Sequence, residues 1–264
     1  MSAKERLDVL LVERSLTDSR EQARRLIMAG EVTVNGQVMD KPGTRIAIDA
    51  QIVLRSVPRF VSRGGEKLDA ALATFDVTVQ GKICADVGAS TGGFTDCLLQ
   101  RGAAKVYAID VGYGQIDYRL RQDARVVVME RTNARYVETL LDQVEIVTVD
   151  ASFISLRLLL PVIKGWLARE ASIITLIKPQ FEAGKQDVGK GGVVRSADVH
   201  RRVLLEVLHA AQTDGFGVAG VIRSPLKGPA GNVEFLAWLR HTIQPDDKNL
   251  LLETLIDAVM TEEA

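Results

Sequence analysis

Apolar and polar positions along the chain fall into two regimes. Within residues 1–57, Asp18-Ser19-Arg20-Glu21-Gln22 offers two overlapping capping boxes, Asp18 with Glu21 and Ser19 with Gln22. Ala23, Leu26 and Ile27 then form one apolar helical face, and Gly30 suits the helix end. Val32-Thr33-Val34, Asn35-Gly36 and Val38 alternate around a dipeptide that signals a tight hairpin. A further strand is predicted from Ile46 to Leu54, giving the order helix, helix, hairpin, strand. Pro58 and the polar stretch through residue 65 read as a linker. From about residue 80, short β-branched runs alternate with helical stretches. The predicted strands are Ile83–Val87, Val106–Val111, Val126–Met129, Ile146–Val149, Ile173–Ile177, Val218–Ile222 and Val233–Phe235. The clearest helix is Val199–Asp214, with Asp198 before it and Gly215 behind. Such alternation predicts an α/β domain over 66–245: a Rossmann-like, seven-stranded, mostly parallel sheet behind a small α+β unit. Sheets of this kind bind ligands outside the carboxyl ends of their strands.

Composition adds exclusions. The chain has 264 residues, 47% of them hydrophobic and 25% charged, which suits a globular protein and excludes fibrous or disordered classes. No apolar run reaches the roughly 18 residues of a membrane span, and the first residues lack a signal-peptide core. Cys84 and Cys97 are too few for a disulfide framework and read as core residues, so a reduced, cytoplasmic compartment is expected. The net charge of −1 conceals an asymmetry. Residues 1–245 hold 32 Lys and Arg against 28 acids, whereas 246–264 hold one Lys against six. A mildly basic body permits nucleic-acid binding. In the acidic tail, Leu251, Leu255 and Val259 recur every fourth residue, which predicts a helix that packs on a neighbour or a partner subunit.

Candidate chemistry gathers at strand ends. The first strand of the larger region runs into Asp86-Val-Gly88-Ala-Ser90-Thr91-Gly92-Gly93-Phe94. A strand, a glycine turn and a helix let backbone approach a ligand closely. Asp110 ends the next strand, where an acid can bind ribose hydroxyls. Dinucleotides and S-adenosylmethionine both use this layout. The glycine spacing is not G-x-G-x-x-G, and Asp86 would repel a pyrophosphate but suit a cationic sulfonium, so S-adenosylmethionine is favoured. Asp150 ends the fourth strand, Lys178 follows five mostly aliphatic residues of the fifth, and Glu234 sits at the last strand–helix junction. Each alone reads as a solvated strand end; together at one sheet edge they indicate a site. His200, His209 and His241 lie in helical stretches and read as surface or packing residues.

Lys67, Asp150, Lys178 and Glu234 resemble the Lys-Asp-Lys-Glu tetrad of the FtsJ-like ribose 2′-O-methyltransferases. Ser62-Arg-Gly-Gly-Glu-Lys67-Leu, Asp86 to Phe94, Glu130-Arg-Thr-Asn133, Asp150-Ala-Ser-Phe-Ile-Ser155, Ile177-Lys-Pro-Gln-Phe181 and Gly231-Asn-Val-Glu234 resemble one branch, the hemolysin A or TlyA-type rRNA methyltransferases. The first unit is similar to the S4 RNA-binding domain of that branch, at Arg6-Leu-Asp8, Ser19-Arg20, Ala23, Leu26-Ile27, Gly30, Val32, Val34-Asn-Gly36 and Lys41-Pro42. It departs at Asp49-Ala50, where Gly-Asp is usual.

The resemblance spans about residues 4–240. It implies methyl transfer from S-adenosylmethionine to a ribose 2′-hydroxyl of ribosomal RNA, expected to be a cytidine, in free RNA or a ribosomal subunit. The tetrad would be catalytic, with Lys178 as base or as stabiliser of the developing alkoxide. Asp86, Gly88, Ser90, Thr91, Gly92, Gly93, Phe94, Asp110 and Asn133 would hold the cofactor. Arg6, Arg20, Arg24 and Lys41 would meet RNA phosphates, as would Lys185 and Lys190 on a mobile loop from Glu182 to Ser196. No metal and no membrane are expected, and the oligomeric state stays open, a monomer being one option. Three other readings compete: a dinucleotide-dependent oxidoreductase, a membrane-active hemolysin-like protein, and an RNA-binding module without catalysis. The first lacks its glycine fingerprint, the second an insertion segment beyond Leu250–Met260, and the third would need a broken tetrad.

Overall fold

A computed structural model describes residues 3–54, 59–242 and 252–261. The chain divides into two units, residues 1–58 and 59–264. The first contains β1 (Lys4–Arg6), α1 (Leu7–Glu13), α2 (Arg20–Met28), β2 (Val32–Val34), β3 (Gln37–Met39), β4 (Arg45–Ala47) and β5 (Ile52–Leu54). Ser19 caps α2 by accepting from the Gln22 amide at 3.2 Å, while the Gln22 side chain reaches back to the Asp18 amide at 2.8 Å. Asn35 and Gly36 take φ values of +50° and +82°, the tight-turn geometry their dipeptide favours.

The single strand predicted for Ile46–Leu54 is two. β4 pairs antiparallel with β1, a strand the alternation did not reveal, and β5 pairs with β2. Between them the chain turns at Asp49-Ala50, with the Ala50 amide bonded to the Ala47 carbonyl at 3.0 Å. The Arg14 guanidinium fastens that turn by donating to the carbonyls of Ile48 and Ala50. Leu7, Leu10, Leu11, Ala23, Leu26, Ile27 and Val32 fill the core of this unit.

The second unit contains α3 (Gly64–Thr74), β6 (Ile83–Val87), α4 (Gly93–Gln100), β7 (Lys105–Ile109), α5 (Tyr118–Gln122), β8 (Val126–Met129), β9 (Val144–Val149), α6 (Leu156–Ile163), β10 (Leu167–Ile177), α7 (Pro179–Glu182), α8 (Ala197–Thr213), β11 (Gly217–Arg223), β12 (Phe235–His241) and α9 (Leu252–Thr261). Residues 59–65, expected as linker, are folded here. Phe60 is buried in the core, the Val61 amide donates to Asp96, and α3 begins at Gly64. Pro58 lies outside the described residues.

The sheet has seven strands in the order β11-β12-β10-β9-β6-β7-β8. β10, β9, β6, β7 and β8 are parallel neighbours, and β12 runs antiparallel between β10 and β11. β12 was expected at Val233–Phe235. Leu236-Ala-Trp-Leu239 fits a buried strand and a helix equally well by period, and pairing on both sides decides for the strand. Because β12 is reversed, its amino end lies at the edge where β6, β9 and β10 end. Ile177 pairs with Phe235, which sets Lys178 beside Glu234. Ser196 rather than Asp198 caps α8, accepting from the Val199 amide. In the tail, α9 packs on α8 and β11 through Leu252, Ile256 and Val259, while Leu251 lies outside the described residues.

Candidate active site

Two adjoining cavities open at the carboxyl edge of this sheet. The smaller, about 300 Å³, is lined by Ile109, Val111, Ala134, Ile154 and Leu159 and by the polar groups of Asp110, Gln115, Thr132 and Asn133. The larger, about 720 Å³, holds Lys67, Asp150, Lys178 and Glu234. Gly88, Ser90, Asp150, Ser152 and Phe153 line both.

The four charged residues of the tetrad form two ion pairs. Lys67, buried in α3, meets Glu234 at 2.5 Å, and the Glu234 side chain is 2% exposed. Lys178 meets Asp150 Oδ1 at 2.5 Å. Its Nζ also donates to Ser152 Oγ at 3.0 Å and to the Asp150 carbonyl at 3.4 Å. Three acceptors thus match the three N–H groups of an ammonium. Burial pushes the Asp150 carboxyl above its ordinary value, and the Lys178 charge opposes that shift. Gln180 donates weakly to Glu234 at 3.5 Å.

The glycine turn needs its backbone geometry. Gly88 has φ +83°, and a Cβ there would sit 2.6 Å from the Asp150 carbonyl oxygen. Ser90 also adopts positive φ, +49°, and its amide donates to Asp110 at 2.7 Å. The Gly112 amide holds the other Asp110 oxygen at 2.6 Å, so this carboxylate is fixed at the cavity wall. Thr91, Gly93 and Phe94 line the larger cavity and Asn133 the smaller. Gly92 lines neither: its φ of +96° starts α4, and a Cβ would strike Leu120.

Asp86 does not occupy the place its charge suggested. It is fully buried beneath the turn, lines neither cavity, and accepts from Thr95 at 2.7 Å and Thr148 at 3.0 Å. Burial pushes its carboxyl up to about 7, against the pull of those two hydroxyls. A buried carboxyl that braces the turn therefore stands where a sulfonium partner was expected.

The loop expected to be mobile is fastened. Asn232, 2% exposed, accepts from the Val194 amide and donates to the Gly192 carbonyl, each at 2.9 Å. Gly189 and Val193 form a bridge, and Asp187 pairs with Arg202. Gly191 and Gly192 line the larger cavity, whereas Lys185 and Lys190 are exposed and line neither. Asn232→Ala should release this wall. The expected result is a several-fold higher KM for the large substrate with cofactor affinity unchanged, read by steady-state kinetics and calorimetry.

Sequence reasoning also missed Ser62, Arg63, Gln115, Ser152, Phe153, Gln180 and Lys227 as lining residues. Ser62, Arg63, Ser152, Phe153 and Gln180 stood inside the quoted motifs, which was the available signal. Phe153 is 90% exposed at φ +62°, with its ring 4.8 Å from that of Phe181.

In the first unit, Arg6, Arg20 and Arg24 converge on one buried carboxylate, Asp8, at 2.9, 3.1 and 3.5 Å. The Arg6 bond chiefly holds Asp8 down to about 2. The guanidinium groups are neutralised only in part, and all remain open to solvent. Lys41 is exposed.

A parallel α/β sheet with a glycine turn, an acid at the next strand end and a paired Lys–acid cluster at the adjoining cavity defines a methyltransferase-class domain. The chain belongs to the FtsJ-like methyltransferase family, whose model matches residues 60–241, and an S4 domain matches residues 5–52. It is 49% identical to YqxC of Bacillus subtilis over 99% of this chain and 94% of that protein. It is 48% identical to the 16S/23S rRNA (cytidine-2'-O)-methyltransferase TlyA of Mycobacterium tuberculosis, over 98% of this chain and 97% of that one. A solved structure from Streptococcus thermophilus superposes with a TM-score of 0.75 at 43% identity, covering 99% of this chain and 98% of that one. Among the described residues no helix is long and apolar enough to cross a membrane.

Proposed function

We propose that this chain transfers a methyl group from S-adenosylmethionine to a ribose 2′-hydroxyl of ribosomal RNA, at a cytidine. The observation that carries the reading is the pair of Lys–acid contacts, Lys178–Asp150 and Lys67–Glu234, in the larger cavity, with Asp150 where it joins the smaller one. The relation to a relative named for cytidine 2′-O-methylation supports the choice of hydroxyl. Its partner is ribosomal RNA or a ribosomal subunit, its compartment the cytoplasm.

The smaller cavity suits the donor. Its aliphatic walls fit a purine, and the fixed Asp110 carboxylate retains lone pairs for ribose hydroxyls. Asn133, Gln115 and the Ser90 backbone add polar contacts, and Gly88 leaves room where the cavities join. When bound there, S-adenosylmethionine supplies an electrophilic methyl on a sulfonium. The chain's task is then to align the hydroxyl and take up its proton. Lys178 stands where the hydroxyl must arrive. To face it, Nζ releases one of its two neutral acceptors, the Ser152 hydroxyl or the Asp150 carbonyl, and keeps the Asp150 carboxylate. In the ammonium form Lys178 stabilises the developing alkoxide, and the Asp150 carboxylate is the nearest acceptor for the proton. In the neutral form Lys178 takes that proton itself. Lys67 and Glu234 hold the far side of the cluster. Exposed Phe153 offers a face on which the target base can stack.

The direct test is incubation of the full chain with S-adenosylmethionine and ribosomal RNA, followed by mass mapping of 2′-O-methyl sites. A new 2′-O-methylcytidine is expected; methylation of a base instead would overturn the reading. The S4 unit should supply affinity rather than chemistry. Arg20→Ala and Lys41→Ala are expected to weaken RNA binding several-fold and to flatten its salt dependence, with cofactor affinity unchanged. Binding titrations at graded salt check this, and an unaltered slope would remove the phosphate role from these residues.

A further inference from the structure

The larger cavity is lined by four cationic side chains and two carboxylates. Lys67 and Lys178 are each matched with an acid at 2.5 Å. Arg63 and Lys227 are not. Both are exposed, and Arg63 Nη2 donates at 3.4 Å to the Lys227 carbonyl, a contact that neutralises no charge. Among the described residues neither has a carboxylate in ion-pair range. Elsewhere in the unit Arg101, Arg121, Arg125 and Arg202 each face an acid at 2.6–2.8 Å, whereas these two cations face the cavity. The wall of the cavity therefore keeps two positive charges without a carboxylate, and the Arg63 guanidinium lies against the Lys227 backbone. Each stands a few residues before a member of the tetrad: Arg63 precedes α3, which carries Lys67, and Lys227 lies on the segment that leads to Glu234.

We infer that Arg63 and Lys227 form an oxyanion-binding pair for the backbone phosphodiester beside the ribose to be methylated. The inference rests on the function proposed above. A ribose whose 2′-hydroxyl reaches Lys178 brings along the phosphate on its neighbouring 3′-oxygen. That phosphate must enter or border the same cavity, and leaving it without a counter-charge there is costly. A guanidinium presents a planar fork to phosphate oxygens, and an ammonium adds a mobile point charge. Pairing within the tetrad keeps Lys67 and Lys178 for the hydroxyl, so the phosphate falls to the two cations that have no acid. The other oxyanion that could reach this wall is the carboxylate of the cofactor's methionine portion, and the test separates the two.

The experiment uses the full chain, ribosomal RNA and S-adenosylmethionine, with Arg63→Gln, Lys227→Gln and the double variant. Initial rates give kcat/KM for RNA over a range of salt concentrations, and calorimetry gives cofactor affinity. The double variant is expected to lose at least about tenfold in kcat/KM at low salt. Each lost phosphate contact should reduce the magnitude of the log–log salt slope by about 0.7. Cofactor affinity should stay within about twofold, and Arg63→Lys should recover most of the slope. An unchanged slope in the double variant overturns the pair. So does a cofactor affinity that falls about tenfold while the RNA slope is kept, which would assign the pair to the methionine carboxylate. A wild-type chain that methylates no RNA overturns the underlying function and the pair with it; a methylating wild type with unaltered variants overturns the pair alone.

Discussion

Lys178→Ala is expected to slow methyl transfer on the order of 100-fold or more, about 3 kcal/mol, while cofactor and RNA affinities change far less. The expectation rests on where its charge acts. Nζ is held at the junction of the two cavities by Asp150 and Ser152, and a ribose hydroxyl becomes strongly attractive to it only as negative charge develops on oxygen. Single-turnover rates with saturating cofactor check this directly. Lys178→Arg is the sharper variant, since a guanidinium keeps the charge and does not give up its proton in this range. Recovery of most of the rate by Arg assigns Lys178 as alkoxide stabiliser. An Arg variant as slow as Ala favours proton removal by Lys178. The three acceptors around Nζ favour the first outcome, because they complete an ammonium. A Lys178→Ala protein that methylates at the wild-type rate would remove this residue from the chemistry.

The larger unit was legible because its signals agree with one another. β9 and the core of β10 are short β-branched runs, and parallel strands buried on both faces carry that composition. The same reasoning pointed to the carboxyl edge, where the tetrad is found. What stayed hidden was set by tertiary pairing or by burial. β1 and β4 are three residues each and exist as strands through each other, so no period could announce them. β12 was displaced because its apolar run has no decisive period, and its reversal is what brings Glu234 to the site. The linker assignment failed at Phe60, whose burial depends on α3 and α4 rather than on its polar neighbours. Asp86 could be counted as a charge in the sequence, but only the register of β6 on β9 shows it facing Thr148 instead of a ligand. Asn232 stood inside the Gly231-Asn-Val-Glu234 motif with no role of its own, and only tertiary folding brings it onto the 192–194 backbone.

Asp86→Asn is expected to remove a large part of the pH dependence of stability and to make the methyltransferase unit more stable than wild type above neutrality. The Asp86 carboxyl is pushed up to about 7 in the folded chain, chiefly by burial, with the Thr95 and Thr148 hydroxyls pulling the other way. An unfolded aspartate titrates near 4. Between about pH 4 and 7 the folded state therefore holds a proton that the unfolded state has lost. Stability contributed by this group is complete below the unfolded value and falls as pH rises through the window, by about 1.4 kcal/mol per unit. Above pH 7 both states are ionised and the loss is complete, on the order of 4 kcal/mol. Asparagine keeps the shape and carries no charge. Its oxygen can accept from one threonine and its amide can donate to the other's hydroxyl oxygen, so the brace under the glycine turn survives. The two proteins should unfold at similar temperatures near pH 5. At pH 8 the variant should melt higher by several degrees, given roughly 2–4 °C per kcal/mol for a domain of this size. Calorimetric scans of both proteins at pH 5, 6, 7 and 8 measure the divergence. Parallel curves across that range would mean that Asp86 is ionised throughout and that the two threonine hydroxyls suffice to hold a bare carboxylate beneath the turn.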